Sequence, residues 1–114
     1  MEIFKWLDDE KFVISYTIND FREFPESYYL NLEIRFNKNT VLYVREYVEA
    51  SRRKYAFHWQ KENGELLVRW DNAPHFPNLP TFPHHKHRAD GTVQESTDIS
   101  LDDVFEYIKK ELDN

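Results

Sequence analysis

Apolar and polar residues alternate along most of the chain. The clearest stretch is residues 28–36, where four apolar side chains occupy every second position from Leu30 to Phe36. A period of two places these side chains on one face of a β-strand. Alternation, or enrichment in β-branched and aromatic residues, likewise predicts strands over residues 12–21, 40–49, 55–60, 65–71, 85–89 and 92–95.

Short polar segments separate these predicted strands. Asn63-Gly64 and Asp90-Gly91 are typical of tight hairpins, since Asn, Asp and Gly tolerate positive φ. Residues 37–39 are turn-forming, and Pro25 closes a short irregular stretch after the first strand. Successive strands are therefore predicted to pair as an antiparallel meander.

The period changes to that of a helix near the C-terminus. Ser100 and Asp103 have the spacing of a capping box, and apolar residues recur every three or four positions from Leu101 to Leu112. A short helix is also predicted over residues 1–7. The predicted fold class is α+β: an antiparallel β-meander of about five to seven strands with a C-terminal helix packed on one face. The whole chain, residues 1–114, is predicted to form a single domain.

A proline-rich segment interrupts the strand pattern. Residues 69–88 hold four of the five histidines, and prolines fall at every third position from Pro74 to Pro83. Polyproline II has three residues per turn, so this spacing predicts a stiff, extended rod. Such a rod has three separate edges. One carries the prolines, the second carries the apolar residues before them, and the third carries a polar row that includes His75 and His84.

Composition and charge limit the function classes. The chain contains no cysteine, which excludes disulfides, thiolate metal sites and thiol nucleophiles. It has neither the pattern of a signal peptide nor that of a membrane span, so we expect a cytoplasmic protein with no membrane partner. The net charge of −6 argues against nucleic-acid binding over the whole surface. However, residues 35–88 carry ten Lys/Arg against five Asp/Glu, which favours one basic and one acidic face.

Two of the predicted strands carry polar side chains on a shared face. If the Asn63-Gly64 turn joins the fourth and fifth strands, His58, Arg69 and Asp71 lie on the same side of the sheet. Arg69 and Asp71 are two residues apart, which places their Cα atoms about 6.5–7 Å apart. A surface salt bridge beside a solvated histidine fits this pattern, and so does a catalytic or substrate-binding patch.

Glu46 lies on the apolar stripe of residues 42–48. A carboxylate that is buried alone is very unfavourable, so we expect Glu46 to pair with Arg69 or Arg53, to be protonated, or to lie at a sheet edge. A general base is the alternative interpretation.

Three histidines follow the proline-rich segment. His85 and His87 alternate with Lys86, so they share one face of a strand and could bind a metal with Asp71, His75 or His58. The spacing matches no recognised metal motif, and we therefore expect no metal and no cofactor. Histidine titrates near pH 6.5, which suits proton transfer at neutral pH.

These groups suit cleavage of RNA, whose 2′-hydroxyl is an internal nucleophile. A base would take the hydroxyl proton, an acid would protonate the leaving 5′-oxygen, and a cation would stabilise the charged phosphate. The predicted catalytic residues are His58, Arg69, Asp71, His75, His84, His85 and His87. The predicted substrate-binding residues are Arg45, Tyr55, Lys86 and Arg88.

Four segments of the sequence resemble the TumE family of toxin–antitoxin proteins. They are Val44-Arg45-Glu46-Tyr47, Tyr55-Ala56-Phe57-His58-Trp59-Gln60, Arg69-Trp70-Asp71-Asn72-Ala73-Pro74-His75 and Thr81-Phe82-Pro83-His84-His85-Lys86-His87. The resemblance covers most of residues 28–111 and includes the helix start at Leu101. It implies a small prokaryotic cytoplasmic toxin, encoded beside a helix-turn-helix antitoxin that neutralises it. It assigns no role to any residue, and the chain departs from the family pattern at Ala56, where a small polar residue is more usual.

We therefore predict a toxin that acts on RNA as a metal-independent ribonuclease. One competing interpretation is a non-catalytic module whose proline- and histidine-rich loop docks a protein partner. The other is a metal-dependent hydrolase. The acidic ends of the chain could receive a basic antitoxin segment, and a homodimer is left open.

Overall fold

Seven antiparallel strands form one sheet in the computed structural model, which describes residues 3–113. The strands are β1 (Val13–Phe24), β2 (Ser27–Phe36), β3 (Thr40–Val48), β4 (Arg53–Lys61), β5 (Leu66–Asp71), β6 (His85–Arg88) and β7 (Val93–Glu95). Their order in the sheet is their order in the sequence, which confirms the predicted meander. The helices α1 (Ile3–Leu7) and α2 (Leu101–Leu112) complete the α+β fold.

Both helices lie where the sequence predicts them. In α2 the Ser100 hydroxyl accepts a hydrogen bond from the Asp103 backbone N–H, and the Asp103 carboxylate accepts one from the Ser100 N–H, both at 3.1 Å. The capping box is thus confirmed. The predicted helix over residues 1–7 is found as α1, and residues 1 and 2 lie outside the described part of the chain.

The sheet has two faces of different character. α2 covers one face, which we call the helix face, and buries its apolar side against alternate residues of the strands. The residues of this core are Leu7, Phe12, Val13, Leu30, Leu32, Ile34, Phe36, Leu42, Val44, Tyr55, Phe57, Trp59, Val68, Trp70, Val104, Phe105, Ile108 and Leu112. We call the opposite side the open face, and its central residues are Asn31, Tyr43, Arg45, Ala56, His58, Arg69, Asp71, His85 and His87.

The hairpins use the predicted turn residues. Gly64 and Gly91 adopt φ values of +96° and +87°. Residues other than Gly, Asn and Asp rarely adopt positive φ. The stretch around Pro25 differs from the prediction of an irregular segment. β1 continues to Phe24, which pairs with Ser27 across a tight turn, because the β1–β2 ladder extends to the end of the hairpin.

The prediction of a polyproline II rod is wrong. The segment between β5 and β6 is a series of turns closed by backbone hydrogen bonds such as Leu79 N to Phe76 O and Phe82 N to Leu79 O. Polyproline II has no internal hydrogen bonds, so these turns exclude it. Proline supplies no N–H and fixes its own φ, but the residues between the prolines keep their N–H groups, and these close the turns.

Candidate functional site

Asp71 is the centre of a group of polar side chains on the open face. It is the last residue of β5, and only 5% of its surface is exposed. Its Oδ1 lies 2.9 Å from His85 Nε2 and accepts a hydrogen bond from the Ala73 backbone N–H at 3.0 Å. Its Oδ2 lies 3.1 Å from Arg69 Nε and 3.4 Å from His87 Nε2. Both oxygens of this buried carboxylate therefore face donors, as burial requires.

The register of β5 and β6 brings Asp71, Arg69, His85 and His87 together, and we call these four residues the Asp71 cluster. His85 is opposite Asp71, and His87 is opposite Arg69. Residues two apart on a strand share a face, so both cross-strand pairs lie side by side on the open face. The structure thus brings together four of the seven predicted catalytic residues.

His85 is the anchor of the cluster. Only 1% of its surface is exposed, and its Nδ1 lies 2.9 Å from the carbonyl oxygen of Pro83. Its Nε2 lies 2.9 Å from Asp71 Oδ1, so both ring nitrogens face an oxygen and the ring is held at both ends. Phe76 packs edge-on against the His85 ring at a centroid distance of 4.8 Å and closes the cluster on the loop side.

His87 is the histidine of the cluster that solvent reaches, with 28% of its side chain exposed. Burial lowers its pKa from the ordinary value, and the charge of Asp71 opposes that shift. Its Nε2 faces Asp71, whereas its Nδ1 makes no hydrogen bond within the described residues. A neutral ring with its proton on Nε2 therefore keeps the Nδ1 lone pair free for a ligand.

His58 is joined to the cluster through Arg69. Its Nδ1 lies 3.2 Å from Arg69 Nη1, and its Nε2 lies 3.0 Å from Gln60 Oε1. The guanidinium can only donate and the amide oxygen can only accept, so the ring is neutral and carries its proton on Nε2. Burial first, and the charge of Arg69 second, lower the pKa of His58 and favour this neutral form.

The other two predicted histidines lie elsewhere. His84 precedes β6 and points to the helix side, where its Nδ1 lies 2.9 Å from the Tyr55 hydroxyl and 3.8 Å from Asp98 Oδ1. His75 is exposed in the loop, and within residues 3–113 its side chain has no hydrogen bond or ion pair. Neither contacts the Asp71 cluster.

The predicted substrate-binding residues are also divided between the faces. Arg45 lies on the open face, opposite Ala56. Lys86 and Arg88 pair with the core residues Trp70 and Val68, which places them on the helix face. They line a cavity of about 380 Å³ there, beside α2. Tyr55 is buried on the helix face, where desolvation raises its pKa to about 12.

Glu46 pairs with Arg53, which confirms one of the two predicted partners. The carboxylate lies 2.8 Å from Arg53 Nη2 and 2.9 Å from Nε, and it also accepts a hydrogen bond from the Tyr28 hydroxyl. Burial and, after it, this hydrogen bond raise the pKa of Tyr28. The remaining Arg53 donors bind Asp98 and the carbonyl oxygen of Ile99. Glu46 is therefore enclosed in a structural network on the helix face.

An open groove of about 560 Å³ runs along the open face beside the cluster. Its lining is polar and consists of Asn19, Asn31, Glu33, Tyr43, Arg45, Ala56, His58, Gln60 and Arg69. A second depression of about 370 Å³ adjoins it and shares Arg45, Ala56 and Arg69. Together they give the cluster a concave surface on which a ligand can lie.

Asp71, His85 and His87 could also hold a metal ion. One ligand atom of each lies within 4.8 Å of the other two. Two imidazoles and a carboxylate suit Zn²⁺ and other first-row transition metals, and the bond from His85 Nδ1 to Pro83 is the kind of outer contact that orients a ligating histidine. Arg69, at 3.1 Å from the carboxylate, opposes a further cation.

Sequence reasoning missed two residues that support the site. Phe76 contacts the rings of both His85 and His87. Gln60 fixes the tautomer of His58. Gln60 had a detectable signal, because it lies two residues after His58 on the same strand and therefore on the same face.

A family model covers nearly the whole chain. The model described as Toxin TumE matches residues 3–112. Comparisons with the curated proteins and with the solved structures give no match. Neither helix of the described residues has the length and apolar character needed to cross a membrane.

Proposed function

The chain belongs to the TumE toxin family, and we propose that it acts as a toxin by cleaving RNA on the open face of its sheet, without a metal ion. The observation that carries this proposal is the Asp71 cluster. One buried carboxylate orients two neighbouring side chains, an arginine that lines a polar groove and a solvent-accessible histidine beside that arginine. Phosphodiester cleavage needs these two functions next to each other.

His87 acts as the general base. Asp71 holds the Nε2–H side of the ring, as an orienting carboxylate does in many acid–base pairs. The free Nδ1 takes the proton of a ribose 2′-hydroxyl that enters from the groove. The 2′-oxygen then attacks the adjacent phosphorus, and the bond to the leaving 5′-oxygen breaks.

Arg69 stabilises the charge that develops on the phosphate. Its Nε is fixed by Asp71 and its Nη1 by His58, while its Nη2 has no hydrogen bond or ion pair in the described part of the chain. A guanidinium held in this way is preorganised, so it loses little conformational freedom when the phosphate binds. No second imidazole in residues 3–113 is both near and free, so the leaving oxygen takes its proton from water in the open groove.

The test compares two histidines that are close in sequence and lie on opposite faces. Purified wild-type protein, His87→Gln and His84→Gln are incubated with labelled RNA, and growth inhibition is measured in parallel. His87→Gln should lower the cleavage rate by about 100-fold or more, since general base catalysis contributes about 10²–10⁴. His84→Gln is the matched control and should retain both activities, because His84 contacts Tyr55 rather than the cluster.

Equal cleavage by wild type and His87→Gln would refute the assignment of the base. If the wild-type protein inhibits growth but never cleaves RNA, the non-catalytic module that docks a protein partner is favoured instead.

A metal-dependent hydrolase is the second candidate, and the convergence of Asp71, His85 and His87 favours it. The two candidates differ in their response to a chelator. Cleavage that survives prolonged EDTA treatment supports the metal-free reaction. Cleavage that is lost with EDTA and restored by Zn²⁺ or Mn²⁺ supports the metal-dependent one.

A toxin family implies an antitoxin partner, and we propose that this partner is a helix-turn-helix protein of the same cytoplasm. Charge supports a basic contact segment in that partner, since the residues outside 35–88 carry sixteen Asp/Glu against five Lys/Arg. Co-expression of the neighbouring antitoxin gene with the toxin should restore growth, and the complex should weaken as salt concentration rises.

A further inference from the structure

Arg45 differs from most arginines of the chain because it has no anionic partner among residues 3–113. Five of the seven arginines form ion pairs with carboxylates, at Arg22, Arg35, Arg52, Arg53 and Arg69. Within the described residues Arg45 has no ion pair and no side-chain hydrogen bond, although it lies near the centre of the open face. An exposed guanidinium in this position is available to an external anion.

A small side chain creates space beside Arg45. Ala56 lies directly opposite Arg45 on β4 and directly opposite Asp71 on β5. Its neighbours on the same face of β4, Lys54 and His58, are long. The alanine methyl therefore forms the floor of a depression, and longer side chains rise around it.

The walls of this depression are cationic and aromatic. Its lining includes Arg45, Lys54, Arg69 and the rings of Tyr29 and Tyr47. Lys54 also lacks an ion pair in the part of the chain that the structure describes. Two carboxylates of this face lie near the depression, and both are already engaged: Asp71 by Arg69 and two histidines, and Glu49 by Tyr47 and Arg52. In a chain with a net charge of −6, this depression is a local concentration of positive charge.

We propose that Arg45 and Lys54 bind a phosphate group of an RNA strand above Ala56, next to the phosphate that is cleaved at Arg69 and His87. The inference rests on the proposed function and deepens it by defining the substrate. Arginine and lysine are the usual phosphate ligands, and a tyrosine ring beside them offers a surface for a base to stack.

The position of the subsite defines the length of the substrate. Arg45 is on β3 and His87 on β6, three strand spacings or about 14 Å across the sheet, and His87 is displaced by two further residues, about 7 Å, along the strands, so their Cα atoms are about 16 Å apart. The two groups therefore contact different phosphates of one strand. The preferred substrate is a single-stranded oligonucleotide that lies across the strands of the sheet, rather than a mononucleotide or free phosphate.

Binding can be tested without cleavage. The probe is a fluorescent single-stranded RNA with 2′-O-methyl groups at every position, which removes the nucleophile, and fluorescence anisotropy gives its dissociation constant. Arg45→Gln should weaken binding by about 10-fold, the loss of one charge-assisted contact. It should also reduce the slope of log K against log salt concentration by about 0.7.

Two further variants make the test specific. Ala56→Leu leaves every charge in place but fills the depression, so it should weaken binding to a similar extent. Arg35→Gln removes a charge from the same face, where Arg35 already pairs with Glu33 and Glu62, so it should bind like the wild type. Thermal unfolding of each variant checks that the fold is retained.

The proposal of the subsite and the proposal of the nuclease can be refuted independently of each other. Wild-type affinity in both Arg45→Gln and Ala56→Leu, or no binding of the probe by the wild type, would overturn the subsite even if RNA is still cleaved. Weakened binding in both variants, with no cleavage of unmodified RNA by the wild type, would support the subsite and reject the nuclease.

Discussion

Glu46 and Asp71 are two buried carboxylates on opposite faces of one sheet. Their surroundings differ in how many hydrogen-bonding groups of their partners are already in use. Each is about 5% exposed, and each is paired with an arginine. Around Glu46, the donors of Arg53 are taken up by Glu46, Asp98 and a carbonyl oxygen. Around Asp71, His87 and Arg69 each keep one nitrogen without a partner among the described residues.

This difference distinguishes a network that only stabilises the fold from one that can also take part in a reaction. A network in which every donor is used can only hold the fold together. A network in which an oriented imidazole and an oriented guanidinium keep free nitrogens beside a groove can bind and transform a ligand. Burial of a charged residue is therefore less informative about function than the unused hydrogen-bonding capacity of its partners.

The largest effect is expected from Asp71→Asn. The change removes the charge that holds Arg69, His85 and His87, so RNA cleavage should fall by about 10³-fold. The unfolding free energy should also fall by about 3 kcal/mol, because His85 and Arg69 lose their anionic partner. Steady-state cleavage and urea unfolding measure the two effects, and near-normal cleavage by Asp71→Asn would remove the basis for assigning function to this cluster.

Glu46→Gln should affect stability alone. Breaking the buried pair with Arg53 should lower the unfolding free energy by about 3 kcal/mol, as for other buried ion pairs that lose one partner. Cleavage per folded molecule should stay unchanged, since the network lies on the helix face. Activity assayed well below the unfolding temperature checks this, and a specific loss of catalysis there would contradict the division of roles.

A smaller effect, on the stability of the fold at acidic pH, is expected from His58. Its pKa is lowered by burial and by Arg69, with His87 adding a weaker contribution and Gln60 opposing the shift. The unfolded chain therefore takes up a proton near pH 6.5 before the folded chain does, and stability should fall as pH drops below 6.5 toward the folded pKa. His58→Gln should make this decline shallower in urea unfolding between pH 7 and 5. A profile identical to wild type would show that His58 is not held neutral.

The smallest effect is expected at alkaline pH from Tyr55 on the helix face. Burial raises its pKa to about 12, so the unfolded chain releases this proton near pH 10, before the folded chain does. The contribution of the hydroxyl to stability is present below pH 10 and is lost as pH rises toward 12. Tyr55→Phe should cost about 1 kcal/mol at pH 7, the hydrogen bond to His84, and should remove part of the alkaline decline. Unfolding measured from pH 9 to 11.5 compares the two proteins.

Strand alternation predicted much of the site. The period of two correctly placed His58, Arg69 and Asp71 on one face, and His85 and His87 on one face of β6. It also contained the information that Lys86 lies on the opposite face from its histidine neighbours. The alternation of apolar and polar residues was therefore enough to assign residues to faces, because residues at every second position of a strand lie on the same face.

Register could not be predicted in the same way. β4 and β5 have a bulge between Trp59 and Gln60, and this bulge places His58 opposite Arg69. A single inserted residue of this kind shifts every pair beyond it, and nothing in the Asn63-Gly64 turn indicates whether a bulge follows. The contact between the His58 ring and Arg69 depends on that shift.

The loop between β5 and β6 was mispredicted for another physical reason. The spacing of the prolines restricts φ at every third residue, but the hydrogen bonds of the intervening residues decide the path. That path carries Phe76 onto the histidines and presents the Pro83 carbonyl to His85. Long-range contacts of this kind have no periodic signature.

The pairing of Asp71 with His85 also has a consequence for assembly of the sheet. β6 is only four residues long, and a one-residue slip would keep its backbone ladder while exchanging which side chains face the groove. Lys86 and Arg88 would then replace the two imidazoles, which would turn toward Trp70. The buried carboxylate and the Pro83 carbonyl together fit an imidazole between them. This contact therefore fixes the register of β6, a strand whose few backbone hydrogen bonds do not define the register alone.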